Sequence, residues 1–125
     1  MSKFQLAALA AVAVLATSFG VSEARADYYG AIAYSPRTGA TGWAYDHPSR
    51  RKAERAAMRN CASNAYDCRI VTYFFNACGA VARGSGGAWG ADWGDDRYSA
   101  ESNALEACYN NGDNCRVVRW ACTSQ

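Results

Sequence analysis

Five sets of residues have the types and spacing to do chemistry. His47, the sole histidine, lies between Asp46 and Pro48 and beside Ser49. A general base there would need a nucleophile or acid supplied from elsewhere in the fold. Ser49 is better explained as a helix cap, and His47 reads as a solvated loop residue. Gly84-Ser85-Gly86-Gly87 has the glycine density of a phosphate cradle but lacks the Lys-Ser/Thr that would complete one, so it reads as a turn between strands. Arg50, Arg51, Lys52, Arg55 and Arg59 form one basic cluster. Within it Arg51, Arg55 and Arg59 share a helical face, either the solvated back of a helix or a patch for an anionic partner. Ala88 to Asp96 places Trp89 and Trp93 four apart among Asp92, Asp95 and Asp96. Strand alternation puts Trp89, Ala91 and Trp93 on one face. If that face is the open side of a sheet, the indoles form a stacking platform, with Asp95 at its rim to accept hydrogen bonds from sugar hydroxyls or to meet a basic partner. The competing reading is that the indoles roof the core beneath a helix.

The fifth set is the six cysteines, and it is the most informative. Metal binding fits poorly, because there is one histidine and no Cys-x-x-Cys pair. Cys61 to Val71 returns as Cys108 to Val118: the same gap separates the two cysteines, and an Arg-aliphatic-Val run follows the second, at an offset of 47 positions (61 to 108, 68 to 115). The chain is an internal duplication. Repeat logic pairs Cys61 with Cys68 and Cys108 with Cys115, each tying a helix end to the next strand, and leaves Cys78 for Cys122.

Each repeat, about 28–76 and 77–125, reads as strand, strand, helix, strand. Tyr29 to Tyr34 and Gly42 to Tyr45 flank the Ser35 to Gly39 turn as a hairpin. A helix capped by Ser49 carries Ala53, Ala57, Met58 and Cys61 inward, and Arg69 to Phe75 is β-branched and aromatic. In the second repeat the strands are Cys78 to Arg83, Ala88 to Trp93 and Cys115 to Cys122, with Asp96 as cap and Gly112 ending the helix. Arg119 is expected to face water, which turns Val118, Trp120 and Cys122 inward. The fold class is α+β: a largely antiparallel six-stranded sheet with two helices on one face, related by a pseudo-twofold axis.

Residues 1–26 read as an export signal, with Lys3 before an apolar run and Ala24-Arg25-Ala26 as a cleavage site before Asp27. Export puts the cysteines in an oxidising compartment, periplasmic or extracellular. Losing Lys3, Glu23 and Arg25 takes the formal net charge from +2 to about +1, which gives no electrostatic reason to bind nucleic acid. Residues 27–125 are expected to be a single monomeric domain without a stable membrane anchor.

The Tyr29 to Ser35 segment, Asn76-Ala77-Cys78-Gly79-Ala80 and the cysteine pattern closing on Cys122 resemble the small exported bacterial domains named DUF4189, a domain of unknown function. The resemblance implies export and one domain, and brings no catalytic residues with it. No carboxylate pair, metal-ligand set or nucleophile motif stands out, so no catalytic residue, metal or cofactor is expected. The reading is a secreted non-catalytic binding or inhibitor module, with a protein or carbohydrate ligand in the cell envelope. A structural or stress-related envelope protein is the alternative. A hydrolase-type enzyme drawing on Asp46, His47, Asp92 or Asp95 is the least supported class.

Overall fold

The ββαβ phrase is built twice, from residues that favour each element locally. The structure, a computed structural model, describes residues 28–124; the signal expected at 1–26 lies outside them. The first repeat comprises β1 (Tyr29–Tyr34), β2 (Thr41–His47), α1 (Arg50–Ala62) and β3 (Arg69–Phe75). The second comprises β4 (Cys78–Arg83), a short 3-10 turn (Ser85–Gly87), β5 (Trp89–Gly94), α2 (Arg97–Tyr109) and β6 (Arg116–Cys122). Both caps form as expected: Ser49 Oγ accepts from the Lys52 amide at 3.2 Å and Asp96 Oδ1 from the Ser99 amide at 2.8 Å. The hydrogen bond donated by the Ser99 backbone N–H holds the Asp96 carboxyl below its usual range.

Small residues bring each helix close to its strands. α1 buries Ala53, Ala57 and Cys61, and α2 buries Ala100, Ala104 and Cys108. Opposite them, a Cβ on Gly42 would stand 2.3 Å from Ala57 O and Cys61 N, and one on Gly90 would stand 2.2 Å from Cys108 N. The three disulfides pair Cys61 with Cys68, Cys108 with Cys115 and Cys78 with Cys122, as the duplication requires.

The strands do not join into one six-stranded sheet. They form two antiparallel three-stranded sheets, ordered β2-β1-β3 and β5-β4-β6. Alternation along β1 sends Ala31 and Ala33 to α1, while Ile32 and Tyr34 meet Phe74, Val81 and Ala121 between the sheets. Along β4, Ala80 and Ala82 face α2 and Val81 faces the inter-sheet core. The layers therefore run α1, first sheet, second sheet, α2, and the helices lie on opposite outer faces rather than on one. The cause is that β1 and β4 are apolar on both sides, and a one-faced sheet would leave half of that surface in water.

The pseudo-twofold equates β1 with β4, β2 with β5 and β3 with β6. Tyr29 pairs with Phe75, their rings 4.8 Å apart, at the register position where Cys78 pairs with Cys122 in the second sheet. Phe74 lies near the axis: Cβ atoms on Gly30 and Gly79 would come within 2.2 and 2.5 Å of its ring. One aromatic ring thus occupies space contributed by both repeats.

Three local expectations are corrected. Arg119 does not face water: it pairs with Val81, whose side chain lies between the sheets, and so points towards the first sheet, and the register shift between Val81 and Ala82 puts Val118 on that side as well. The Arg119 Cζ lies there 3.9 Å from the Trp43 ring centroid, and Trp120 turns to the α2 side beneath Arg97 at 3.9 Å. Gly112 does not cap α2; the cap is Asn110 in right-handed conformation, and positive φ falls on Asn114 at 58°. His47 ends β2, paired with Tyr29, rather than standing in a loop.

Candidate functional site

Stacking two sheets about a pseudo-twofold creates two equivalent long edges, one where β6 meets β2 and one where β3 meets β5. Their fillings differ. At the first, Arg119 stacks on Trp43 and its Nε donates to Thr41 Oγ1 at 3.4 Å, so a planar cation and an indole occupy the space. At the second, the equivalent residues are Thr72 and Ala91, which are much smaller. What remains is a groove of about 440 Å³ along β3, lined by residues 71–75 of that strand and by Trp93 of β5. Within it Phe74 faces the other sheet, while the Phe75 ring turns to Tyr29 on the α1 side. Trp93 is 50% and Phe75 45% exposed, although both are large apolar side chains.

The sequence-derived candidates separate in space. Trp89, Ala91 and Trp93 do share a face, but that face looks at the other sheet and is not the open side. Trp89 is half-buried against Tyr34, ring centroids 5.4 Å apart, so the two indoles do not make an open platform. Trp93 and Asp95 remain neighbours around a shallow depression lined also by Asp92, Ser99 and Asn103. Asp92 Oδ1 accepts from the Trp93 amide at 2.8 Å and the Asn103 amide donates to Trp93 O at 2.9 Å, so this polar rim anchors the Trp93 backbone.

Arg51, Arg55 and Arg59 are exposed and border a shallow cleft with Met58 and Ile70 between α1 and β3. Arg50 stands apart from them. Its Nε donates to Glu54 at 2.8 Å and its Cζ lies 3.7 Å over the Tyr73 ring, and the bond to Glu54 raises its already high pKa. The same clamp recurs as Arg97 with Glu101 and Trp120.

The remaining candidates are engaged structurally. Both Asp46 oxygens accept from Ser124, at 2.8 Å from its amide and 2.5 Å from its hydroxyl, which pins the chain's end to β2. The Ser85 amide and hydroxyl both bond Asp113 O, and Gly86 and Gly87 supply the positive φ of the turn. The hollow beside that turn, about 540 Å³, has Asn111 on its wall donating to Trp89 O. Among the described residues, no three His, Cys, Asp or Glu side chains are placed to hold a metal, and no helix is long and apolar enough to cross a membrane.

Reasoning from sequence missed the floor of the groove. The available signal was Tyr73-Phe74-Phe75: alternation sends consecutive aromatics of a strand to opposite faces, so the run supplies rings to both sides of β3.

Comparison with known proteins agrees with this architecture. The model of the family described as Domain of unknown function (DUF4189) matches residues 29–122. Protein Rv1269c of Mycobacterium tuberculosis (strain ATCC 25618 / H37Rv) is 49% identical over 57 residues, which are 46% of this chain and 43% of that protein. Protein Mb1300c of Mycobacterium bovis matches to the same extent. The matched stretch thus spans less than half the length of these relatives. The NMR structure of Rv1813c from Mycobacterium tuberculosis is similar with a TM-score of 0.56 and 29% identity, over 90% of this chain and 98% of that one.

Proposed function

The chain belongs to the family described as Domain of unknown function (DUF4189), and we propose that it is an exported, non-catalytic binding module whose ligand seats in the aromatic groove between β3 and β5. Three disulfides fit a chain that matures in an oxidising compartment. Two of them tie the helices to the strands that follow and the third joins β4 to β6, and such cross-links lower the ordering cost of binding at a sheet edge. The observation that carries the reading is the unequal filling of two equivalent edges. The fold fills one edge with Arg119 and Trp43 and carries the smaller Thr72 and Ala91 at the other, where half-exposed Trp93 and Thr72 border an open groove. Indoles so placed supply much of the energy of typical binding surfaces. The dispersal of Asp46, His47, Asp92 and Asp95 between the ends of β2 and β5, with Asp46 held by Ser124, supports a non-catalytic role.

The test copies the closed edge onto the open one. Thr72→Arg with Ala91→Trp recreates the pair seen at the other edge and should fill the groove without unfolding the protein. Envelope components retained by the immobilised wild type should be lost on this variant and on Trp93→Ala. Retention of the same components by all three proteins, each with native circular dichroism, would refute the assignment.

A further inference from the structure

We infer that the occupant of this groove is an extended peptide that pairs with the free edge of β3 as an added strand, apolar on one face and acidic on the other. The inference rests on reading the groove as the binding site, and adds the class of ligand.

β3 ends its sheet, so it pairs with β1 on one side only. Exposed edges are usually blunted by charge or proline, yet Thr72 to Phe75 carries neither. An added strand would lie about 4.8 Å beyond β3 and point alternate side chains to opposite sides. On the inter-sheet side those side chains meet the groove formed by Thr72, Phe74 and Trp93. On the other side they meet the cleft bordered by Arg51, Arg55, Met58 and Arg59.

The spacing agrees. α1 and β3 run antiparallel side by side, with Arg50 over Tyr73 at one end and Met58 beside Ile70 at the other. Cations four residues apart on a helix recur every ~6 Å, and same-face side chains of a strand every ~6.6 Å. A peptide strand can therefore present successive carboxylates to Arg51, Arg55 and Arg59 in step. Glu54, the helix's own carboxylate, is taken by Arg50.

The second repeat shows that the fold does not require these features. The α2 positions equivalent to Arg51, Lys52, Arg55 and Arg59 are Tyr98, Ser99, Ser102 and Glu106. The β6 edge has its groove filled by Arg119, and the position of Phe75 is taken by Cys122 in its disulfide. A second copy of the chain fits β3 poorly, because antiparallel β3 pairing sets the two basic α1 helices on the same face of the joined sheet.

The probe is a displayed library of random ten-residue peptides panned against the folded, oxidised protein. Enriched peptides should alternate acidic and apolar residues. Their affinity should fall about tenfold in Arg51→Ala/Arg55→Ala, more at low salt, and about thirtyfold in Trp93→Ala. N-methylation of every second amide should abolish binding in one phase and spare it in the other. Enriched peptides that lack alternation, or that tolerate N-methylation in both phases, would overturn strand addition, while their dependence on Trp93 would keep the groove assignment. Insensitivity to Trp93→Ala and to Thr72→Arg/Ala91→Trp would remove both. No enrichment, capture of a glycan instead, or concentration-dependent dimerisation that buries β3 would overturn the peptide assignment.

Discussion

Replacing Phe74 tests the inter-sheet core and the groove floor together. Phe74 is 1% exposed, and its ring stands where Cβ atoms on Gly30 and Gly79 would otherwise be, 2.2 and 2.5 Å away. Phe74→Ala removes the ring from beneath two residues with no side chains to collapse into the gap, which puts the loss at about 4 kcal/mol within the usual Phe→Ala range. Gly79→Ala alone drives a methyl into Phe74 Cδ1 at 2.5 Å and presses on Thr72 Cγ2 at 3.2 Å, and overpacking of this kind costs about 2 kcal/mol. In the Phe74→Ala background the same methyl meets only Thr72, fills part of the cavity and stiffens the unfolded chain. The double variant should then be about 1 kcal/mol more stable than Phe74→Ala alone. The two substitutions together would cost about 3 kcal/mol where independent effects would cost about 6, a coupling of about 3 kcal/mol. Urea unfolding followed by tryptophan fluorescence, with disulfides intact, measures all four corners of the cycle. Additivity within about 0.5 kcal/mol would refute the placement of one ring between two glycines.

The indoles should part company on thermal melting: Trp89→Ala loses packing against Tyr34 and should cost about 3 kcal/mol, whereas half-exposed Trp93→Ala should cost about 1 or less. Removing the 78–122 bridge by paired alanines should lower stability by about 4 kcal/mol in the loop-entropy account, against about 2.5 for the 61–68 bridge, and calorimetry of the two variants compares them. The Ser35 hydroxyl and the Arg37 amide both donate to Asp67, the hydroxyl bond being the larger effect, and hold its carboxyl below the usual range. A depressed folded pKa contributes stability above the unfolded value near ~3.9 and loses it as pH falls through the folded one. Wild type should therefore lose stability below about pH 4 more steeply than Asp67→Asn, which urea midpoints against pH would show. Residues 27 to 76 expressed alone should lack a cooperative transition, since Ile32, Tyr34 and Phe74 find part of their packing on Val81 and Ala121.

Much of the fold was legible because the chain states it twice. β1 and β3 have the expected bounds, and Ser49 and Asp96 cap as their types suggest, since local spacing and side-chain chemistry decide these features. The division into two sheets was not anticipated, although Gly30 to Tyr34 and Gly79 to Ala82 contain no charged residue and so announce strands buried on both faces. Arg119 was misplaced for a different reason. A charged side chain is assigned to water by its type, but this sheet is covered by α2 on one face and by the first sheet on the other, and Arg119 lies over Trp43. The shift in pairing between Val81 and Ala82 displaces Val118, which leaves the face of Trp120 and Cys122. The groove was half legible: Trp93 and the arginine row were visible as types, but which sheet edge stayed open depended on how Thr72, Ala91, Trp43 and Arg119 meet across sheets.

Because the second repeat follows the same plan, it separates what the fold needs from what one half alone carries. Gly42 and Gly90 both admit a helix backbone, and the alanine stripes and short disulfides recur. Arg50 with Glu54 and Tyr73 matches Arg97 with Glu101 and Trp120, so that clamp belongs to the scaffold and Arg50 should not be counted in the basic patch. The unmatched features fall on one side of the molecule. Arg51, Arg55 and Arg59 flank β3 from α1, Phe75 stands where the second repeat has a disulfide, and Thr72 with Ala91 leaves open what Arg119 and Trp43 close. Scattered drift between two copies would spread such differences over both faces and all edges. β2, β5 and β6 are edge strands too, and it is the convergence of these features along β3 that singles its edge out as a place to bind.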